Sequence, residues 1–200
     1  MFNDRYGLTQ AVISGRKTVT RRVVRDAWWP ISKIEAEGMR GDIINVIANN
    51  GKLVIERKCP YKIGEIVAVA QSYQELDNEW CRNHVDVHPA ESPYSGCENM
   101  AGRGNKMFVQ ADLMPHQIQI TDLRIERLQD ISDDYFKEGI TLLASADDGR
   151  IQWGYADEHL RYYMFDSPRE AFASLIDKVS GRGTWERNPF VWRIEFKLVK

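Results

Sequence analysis

The run Ile118-Gln119-Ile120-Thr121-Asp122-Leu123-Arg124-Ile125-Glu126-Arg127-Leu128 alternates apolar and polar residues for most of its length. Side chains of a strand point to its two faces in turn, so a period of two predicts a half-buried strand and argues against a helix of period 3.6. Its core set is Ile118, Ile120, Leu123 and Ile125. The phase slips at Thr121-Asp122, where a bulge would absorb the extra residue. A strand this long needs partners. Ile43-Ile44-Asn45-Val46-Ile47 and Lys52-Leu53-Val54-Ile55-Glu56 flank Asn49-Asn50-Gly51, and an Asn-Gly step between β-rich runs predicts an antiparallel hairpin. Thr18 to Val24 is rich in β-branched residues, Ile66 to Ala70 is continuously apolar and suggests a buried strand, and the C-terminal run through Phe190 to Val199 alternates again.

Helical patterns are fewer and shorter. Leu8, Ala11 and Val12 recur at helical spacing, with Gly15 placed to cap the C-terminus. Ser132 is a good N-cap, Asp133 and Asp134 complement the dipole, and Gly139 would close a short helix over Ser132–Glu138. Pro168 to Val179 carries Phe172, Leu175, Ile176 and Val179 on one face, with a proline suited to its first turn. Residues from about 77 to 106 are polar and lack hydrophobic periodicity, which predicts an insertion loop; ordered patterning resumes at Met107-Phe108-Val109. Leu142 to Asp166 reads as a second variable region. The elements predict an α+β fold. We expect one domain over residues 1–200, with insertions at about 77–106 and 141–167.

A formal net charge of −2 argues against a protein held to nucleic acid by charge everywhere, so binding of this kind must be local. Three cysteines suit reduced thiols better than a disulfide framework. No stretch of eighteen apolar residues and no basic-then-apolar N-terminus is present, so no membrane span is expected and a cytoplasmic location is.

Local charge is concentrated in Gly15-Arg16-Lys17-Thr18-Val19-Thr20-Arg21-Arg22, four cations and two hydroxyls in eight residues. On composition alone it reads as a solvated cationic strand. A lysine with a lowered pKa can also activate a hydroxyl, and Arg16, Arg21 and Arg22 are cations that would lower Lys17. In a regular strand Lys17 and Thr20 would face opposite sides, and they converge only if the turn keeps Lys17 outside the pleat. Arginines equally suit phosphate recognition. Trp28, Trp29, Tyr73, Trp185 and Trp192 are stacking candidates or ordinary core residues, with Tyr73, at the end of a predicted strand, the preferred stacker. Cys81-x2-His84-x3-His88-x8-Cys97 has the ligand types for tetrahedral zinc, but its last spacing is loose and a polar loop is the ordinary reading.

The Gly-Arg-Lys-Thr-hydrophobe-Thr run after a short helix resembles the signature of the ASCH domain, a PUA-like family. Three later stretches fit that family in order: Tyr61-Lys62-Ile63-Gly64-Glu65 leading to Gln71-Ser72-Tyr73, the block from Ile118 to Glu138-Gly139, and Trp185 followed by Asn188-Pro189-Phe190-Val191-Trp192. The last resembles the longer, phage-associated members. The resemblance implies a PUA-like mixed β-barrel with short flanking helices and two insertions. It also implies recognition of RNA, single-stranded nucleic acid or a modified nucleoside, for which Arg16, Arg21, Arg22, Gln71, Tyr73 and Trp185 are the binding candidates. No metal or other cofactor is called for, and no oligomeric state is implied. Certain small ASCH proteins hydrolyse the acetyl amide of N4-acetylcytidine, and their catalytic lysine, threonine and glutamate fall on Lys17, Thr20 and Glu138. Where the family commonly has Arg-Glu, this chain has Ala70-Gln71, which weakens any role needing a carboxylate there.

Overall fold

A computed structural model of the chain describes residues 2–24, 31–36, 43–48, 53–132, 134–144 and 149–200, with backbone alone through 31–36, 43–48 and 53–55. The fold is mixed α+β. It divides into two compact units: Asn3–Ile66 with Gln119–Leu198, and a smaller one of Val67–Ile118 with Met1–Phe2 and Val199–Lys200.

In the larger unit α1 (Leu8–Ile13) buries Leu8, Ala11 and Val12, and ends through Gly15 at a φ of 72°. β1 (Val19–Val23) then pairs antiparallel with β10 (Phe190–Leu198), Arg21 lying opposite Arg193 and Thr20 opposite Ile194. β6 (Gln117–Arg127) flanks β10 on its other side. Ile118, Ile120 and Leu123 are buried and Ile125 is half-buried, while Thr121 is exposed, so the burial phase changes where the sequence does. β2 (Ile31–Ala36), β3 (Ile43–Ala48) and β4 (Leu53–Lys58) form an antiparallel meander, with Ala48 opposite Leu53 as the hairpin signal requires. The Asn49-Asn50-Gly51 turn itself lies outside the described residues, as do Trp28-Trp29-Pro30 and Asp133.

The region expected to vary between Leu142 and Asp166 is regular instead. β7 (Thr141–Ala144), β8 (Ile151–Ala156) and β9 (Tyr162–Phe165) form a second antiparallel meander. Each strand is only four to six residues long, too short for a period to stand out. α3 (Pro168–Ser180) packs on β8: Ala171, Phe172, Leu175 and Ile176 are buried, and Ser174 bonds the Tyr155 hydroxyl at 2.9 Å. Val179, expected on this face, is partly exposed. Asp177 near the end of α3 accepts from the amides of Gly183 and Trp185, which caps the short α4 (Thr184–Arg187).

The apolar run that leads into the smaller unit is less buried than its composition suggests, since β5 (Ile66–Ala68) leaves Ile66 exposed. The stretch expected to be a loop begins as a helix, α2 (Tyr73–Asn83), set by a capping box in which Ser72 and Glu75 satisfy each other's backbone amides. Tyr73, Leu76, Cys97 and Met114 form its small core. The apolar residues of this unit are spread between 3-10 turns at Pro89–Glu91, Ser95–Cys97 and Ala111–Leu113, so no single period marks them. Met107-Phe108-Val109 is not a strand.

The turn between β8 and β9 depends on one carboxylate. Burial alone would raise the pKa of Asp157, but the Arg161 amide and guanidinium and the His159 amide hold it down at about 2. A carboxyl depressed in this way stabilises the fold above its ordinary titration range, and that contribution is lost as pH falls towards 2. Asp157→Ala is therefore expected to lower the melting temperature at neutral pH and to narrow its gap to the parent below pH 3. Parallel melting curves across that range check it; a gap independent of pH counts against the ionised carboxylate.

Candidate functional site

Two backbone devices bring Lys17 to Glu138. The turn after α1 is closed by the Lys17 amide donating to Ala11 O at 2.8 Å, and the next amide, Thr18, donates to Lys137 O at 3.0 Å. Glu138 ends a single 3-10 turn, Phe136–Glu138, closed by Gly139 at a φ of 97°. The helix expected over Ser132–Glu138 is thus only this turn, and Ser132 does not cap it. A Cβ on Gly139 would meet Leu8 Cδ2 at 3.2 Å, so glycine is favoured there both by its φ and by the close packing of Leu8.

The Lys17 ammonium is buried and uses three acceptors: Glu138 Oε2 at 2.6 Å, Val19 O at 2.7 Å and Glu138 O at 3.0 Å. The other carboxylate oxygen, Oε1, accepts from Arg21 Nη1 at 2.7 Å, and Arg21 Nε donates to Glu126 at 2.7 Å. Arg193 continues the network. Its Nη2 donates to Asp134 at 2.6 Å and its Nη1 to Glu195 at 3.0 Å, while Asp134 lies 3.8 Å from Arg21. Like charges opposite each other on paired strands repel; the carboxylates of Asp134, Glu126 and Glu138 make the Arg21/Arg193 pair tolerable. Burial would raise the Asp134 carboxyl, but Arg193 and Lys137 hold it below the ordinary range. Burial lowers the Lys17 ammonium, Glu138 opposes this, and Arg21 and Arg22 add to it.

Thr20 does not join this group. The pleat places Val19, Arg21, Arg193 and Glu195 on one face of the β1–β10 pair, and Thr20, Arg22, Trp192 and Ile194 on the other. Lys17 precedes the strand but reaches the Arg21 face, where both cations hold Glu138. Arg16 is exposed and donates to Ser14 Oγ, and Arg22 is half-buried with its guanidinium 5.9 Å from the Tyr61 ring. Trp185 is half-buried, edge-on to Phe172, with the Arg169 guanidinium 4.8 Å from its ring.

Gln71 and Tyr73 belong to the smaller unit. Tyr73 is fully buried and its hydroxyl accepts from the Gln110 amide at 2.8 Å, so it presents no ring face for stacking. Gln71 is 3% exposed, yet its Oε1 makes no hydrogen bond. Among the described residues no three His, Cys, Asp or Glu side chains gather as metal ligands. His84 stacks on Trp80, His88 Nδ1 accepts from the Ala90 amide, and Cys97 is in the core.

Sequence reasoning does not single out Glu126 or Arg193, and gives Asp134 only a helix-dipole role. A signal was present in Val191-Trp192-Arg193-Ile194-Glu195-Phe196, a closing strand that puts an arginine and a glutamate on one pleat face. Such a face needs countercharges once buried. No family model, characterised protein or solved structure matches this chain.

Removing one partner of a buried ion pair typically costs about 3–5 kcal/mol, because the other charge is left uncompensated. Glu138→Ala leaves the Lys17 ammonium with carbonyl acceptors alone and takes from Arg21 one of its two short carboxylate contacts, whereas Lys17→Met leaves Glu138 paired with Arg21. Urea denaturation is expected to show Glu138→Ala as the more destabilised. The reverse order would mean that Arg21 contributes nothing to holding the carboxylate.

Proposed function

We propose that this chain is a recognition domain of PUA-like, ASCH type, binding RNA, single-stranded nucleic acid or a modified nucleoside in the cytoplasm. The observation that carries the reading is Gln71. A buried carbonyl oxygen without a partner is costly to keep, at about 1–3 kcal/mol, and a ligand N–H would remove that cost. A glutamine amide suits the paired donor and acceptor groups on a nucleobase edge. The cations contribute less than their number in the sequence suggests, because Lys17 and Arg21 are spent on Glu138 and Glu126. Arg16, Arg22 and Lys137 remain closer to solvent, which supports a few phosphate contacts at most. The salt dependence of binding is then shallow, with a log–log slope of about −0.7 for each phosphate engaged.

A second reading, deacylation of N4-acetylcytidine-type nucleosides by Lys17, Thr20 and Glu138, draws support from the lowered Lys17 and its contact with Glu138. It requires Lys17 to lose a proton and with it one of its three hydrogen bonds, and Thr20 to act from the other face of the sheet. We therefore place it second.

Fluorescence anisotropy with labelled oligouridylate and oligothymidylate, with cytidine and N4-acetylcytidine as competitors, tests both. Gln71→Leu removes the unpaired oxygen, so it is expected to hold or raise the melting temperature while weakening binding about tenfold or more. Unchanged affinity in a folded Gln71→Leu protein would remove the support on which the reading rests. Cytidine released from N4-acetylcytidine by the parent, and not by Lys17→Ala or Thr20→Ala, would establish the hydrolase instead.

A further inference from the structure

Three cations from distant parts of the sequence gather around a cluster of tyrosine rings in the larger unit. The Glu158 amide donates to Arg5 O at 2.7 Å, which joins the N-terminal segment to the turn between β8 and β9. Tyr6 lies edge-on to Tyr155, their centroids 5.9 Å apart, and Tyr155 stacks on Tyr163 at 5.1 Å. The Arg5 guanidinium is 5.8 Å from the Tyr6 centroid. Lys178, in the last turn of α3, holds its ammonium 3.2 Å from the Tyr163 centroid, 5.5 Å from that of Tyr155 and 5.7 Å from that of Tyr6. Asp157 sets the third cation: it accepts from Arg161 Nε at 2.8 Å, from the Arg161 and His159 amides, and from the Tyr163 hydroxyl at 3.3 Å. The turn between them is held firmly enough to keep the exposed Leu160 at a φ of 58°.

The charges here do not balance. Asp157 is committed to the turn, and the Glu158 carboxylate lies 3.6 Å from His159 Nε2. Among the described residues neither Arg5 nor Lys178 has a carboxylate within ion-pair distance, and Arg161 spends only its Nε. Burial lowers the Lys178 ammonium below the ordinary lysine range, Asp157 opposes this, and Arg5 and Arg161 add to it. The ring faces attract the cations but leave most of their N–H donors without acceptors. All three side chains are exposed, so those donors are open to a ligand.

We infer that Arg5, Arg161 and Lys178 form a binding site for the oxyanion of a phosphate group. Guanidinium forks make paired hydrogen bonds to phosphate oxygens, an ammonium adds a compact charge, and a tetrahedral phosphate has an oxygen for each of the three cations. Two cations stand unanswered. A phosphate monoester, with a charge of about −1.5 to −2 at pH 7, matches them better than the single charge of a diester. The site uses neither Gln71 nor Glu138, and it does not rest on the recognition reading above.

The full chain is titrated with inorganic phosphate, thymidine monophosphate and an oligothymidylate lacking a terminal phosphate, each against sodium chloride of equal ionic strength. Melting temperature and the carbon resonances of the Lys178 side chain are followed. Phosphate and the mononucleotide are expected to raise the melting temperature, and to raise the Lys178 pKa, because an anion beside an ammonium favours its charged form. Lys178→Gln and Arg5→Gln change exposed side chains and are expected to fold as the parent does while binding about tenfold more weakly. Arg5→Gln is also expected to raise the Lys178 pKa without ligand, since a like charge is removed. A response to the oligonucleotide alone, lost in both variants, keeps the site and assigns its anion to a nucleic-acid backbone. A Lys178 resonance that none of the three ligands moves beyond the chloride control overturns the inference, as does binding undiminished in both variants.

Discussion

The Glu138 carboxylate ties together segments that lie 121 and 117 residues away along the chain, at Lys17 and Arg21. Neither oxygen is spare, and three buried charges become mutually necessary. Closing so long a loop has an entropic cost that rises only with the logarithm of its length, so a few short charge-assisted bonds can hold it. Much of the larger unit's local structure serves this junction. The turn after α1 swings Lys17 inward, Gly139 packs closely against Leu8, and the 3-10 turn presents the glutamate. Thr18 and Lys137 join the two backbones directly.

The same network fixes the register of β1 on β10. A slip of one residue in β1 would move Arg21 to the face of Ile194 and Trp192, away from Glu126, Asp134 and Glu138, and would send Thr20 among the carboxylates. An apolar pair of strands would tolerate such a slip more readily. Buried ion pairs are weak contributors to net stability when compared with well-packed apolar groups. Here the argument for them is geometric: Arg21 and Arg193, opposite each other, are acceptable only in the one alignment that puts carboxylates beside both.

Much of the larger unit was legible in the sequence because its signals are periodic. The alternation through Ile118 to Ile125, its phase slip, the helix beginning at Pro168 and the closing strand all survive in the structure. The meander over residues 141–165 was not legible, since four to six residues per strand give too few repeats. α2 was hidden for another reason. Only Tyr73 and Leu76 of its residues are buried, so no apolar stripe announces it, and the Ser72/Glu75 capping pair was the sequence signal. In the site, motif position singled out Lys17 and Glu138 but not the bond between them. The opposition of Thr20 and Lys17 followed from the pleat alone. Asp134 and Arg193 required the strand register, which a single sequence does not contain.

Consistency between local preference and global fold is what a specified structure requires, and departures from it mark places where something other than stability is being served. By that standard the charged network of the larger unit is ordinary: its carboxylates and cations are mutually satisfied, and it explains itself as architecture. In the larger unit Leu160 is exposed at a left-handed φ of 58°, and the smaller unit adds two departures, an amide oxygen buried without a partner at Gln71 and an exposed ring in a left-handed conformation at Phe108. Neither helps α2 form or its core pack. A cationic stretch that draws attention in the sequence can therefore be partly internal, with Lys17 and Arg21 buried and committed to carboxylates. For a chain with a net charge of −2 that division is physically coherent. On the recognition reading proposed above, selectivity comes from hydrogen-bond geometry, with little long-range attraction for nucleic acid in general.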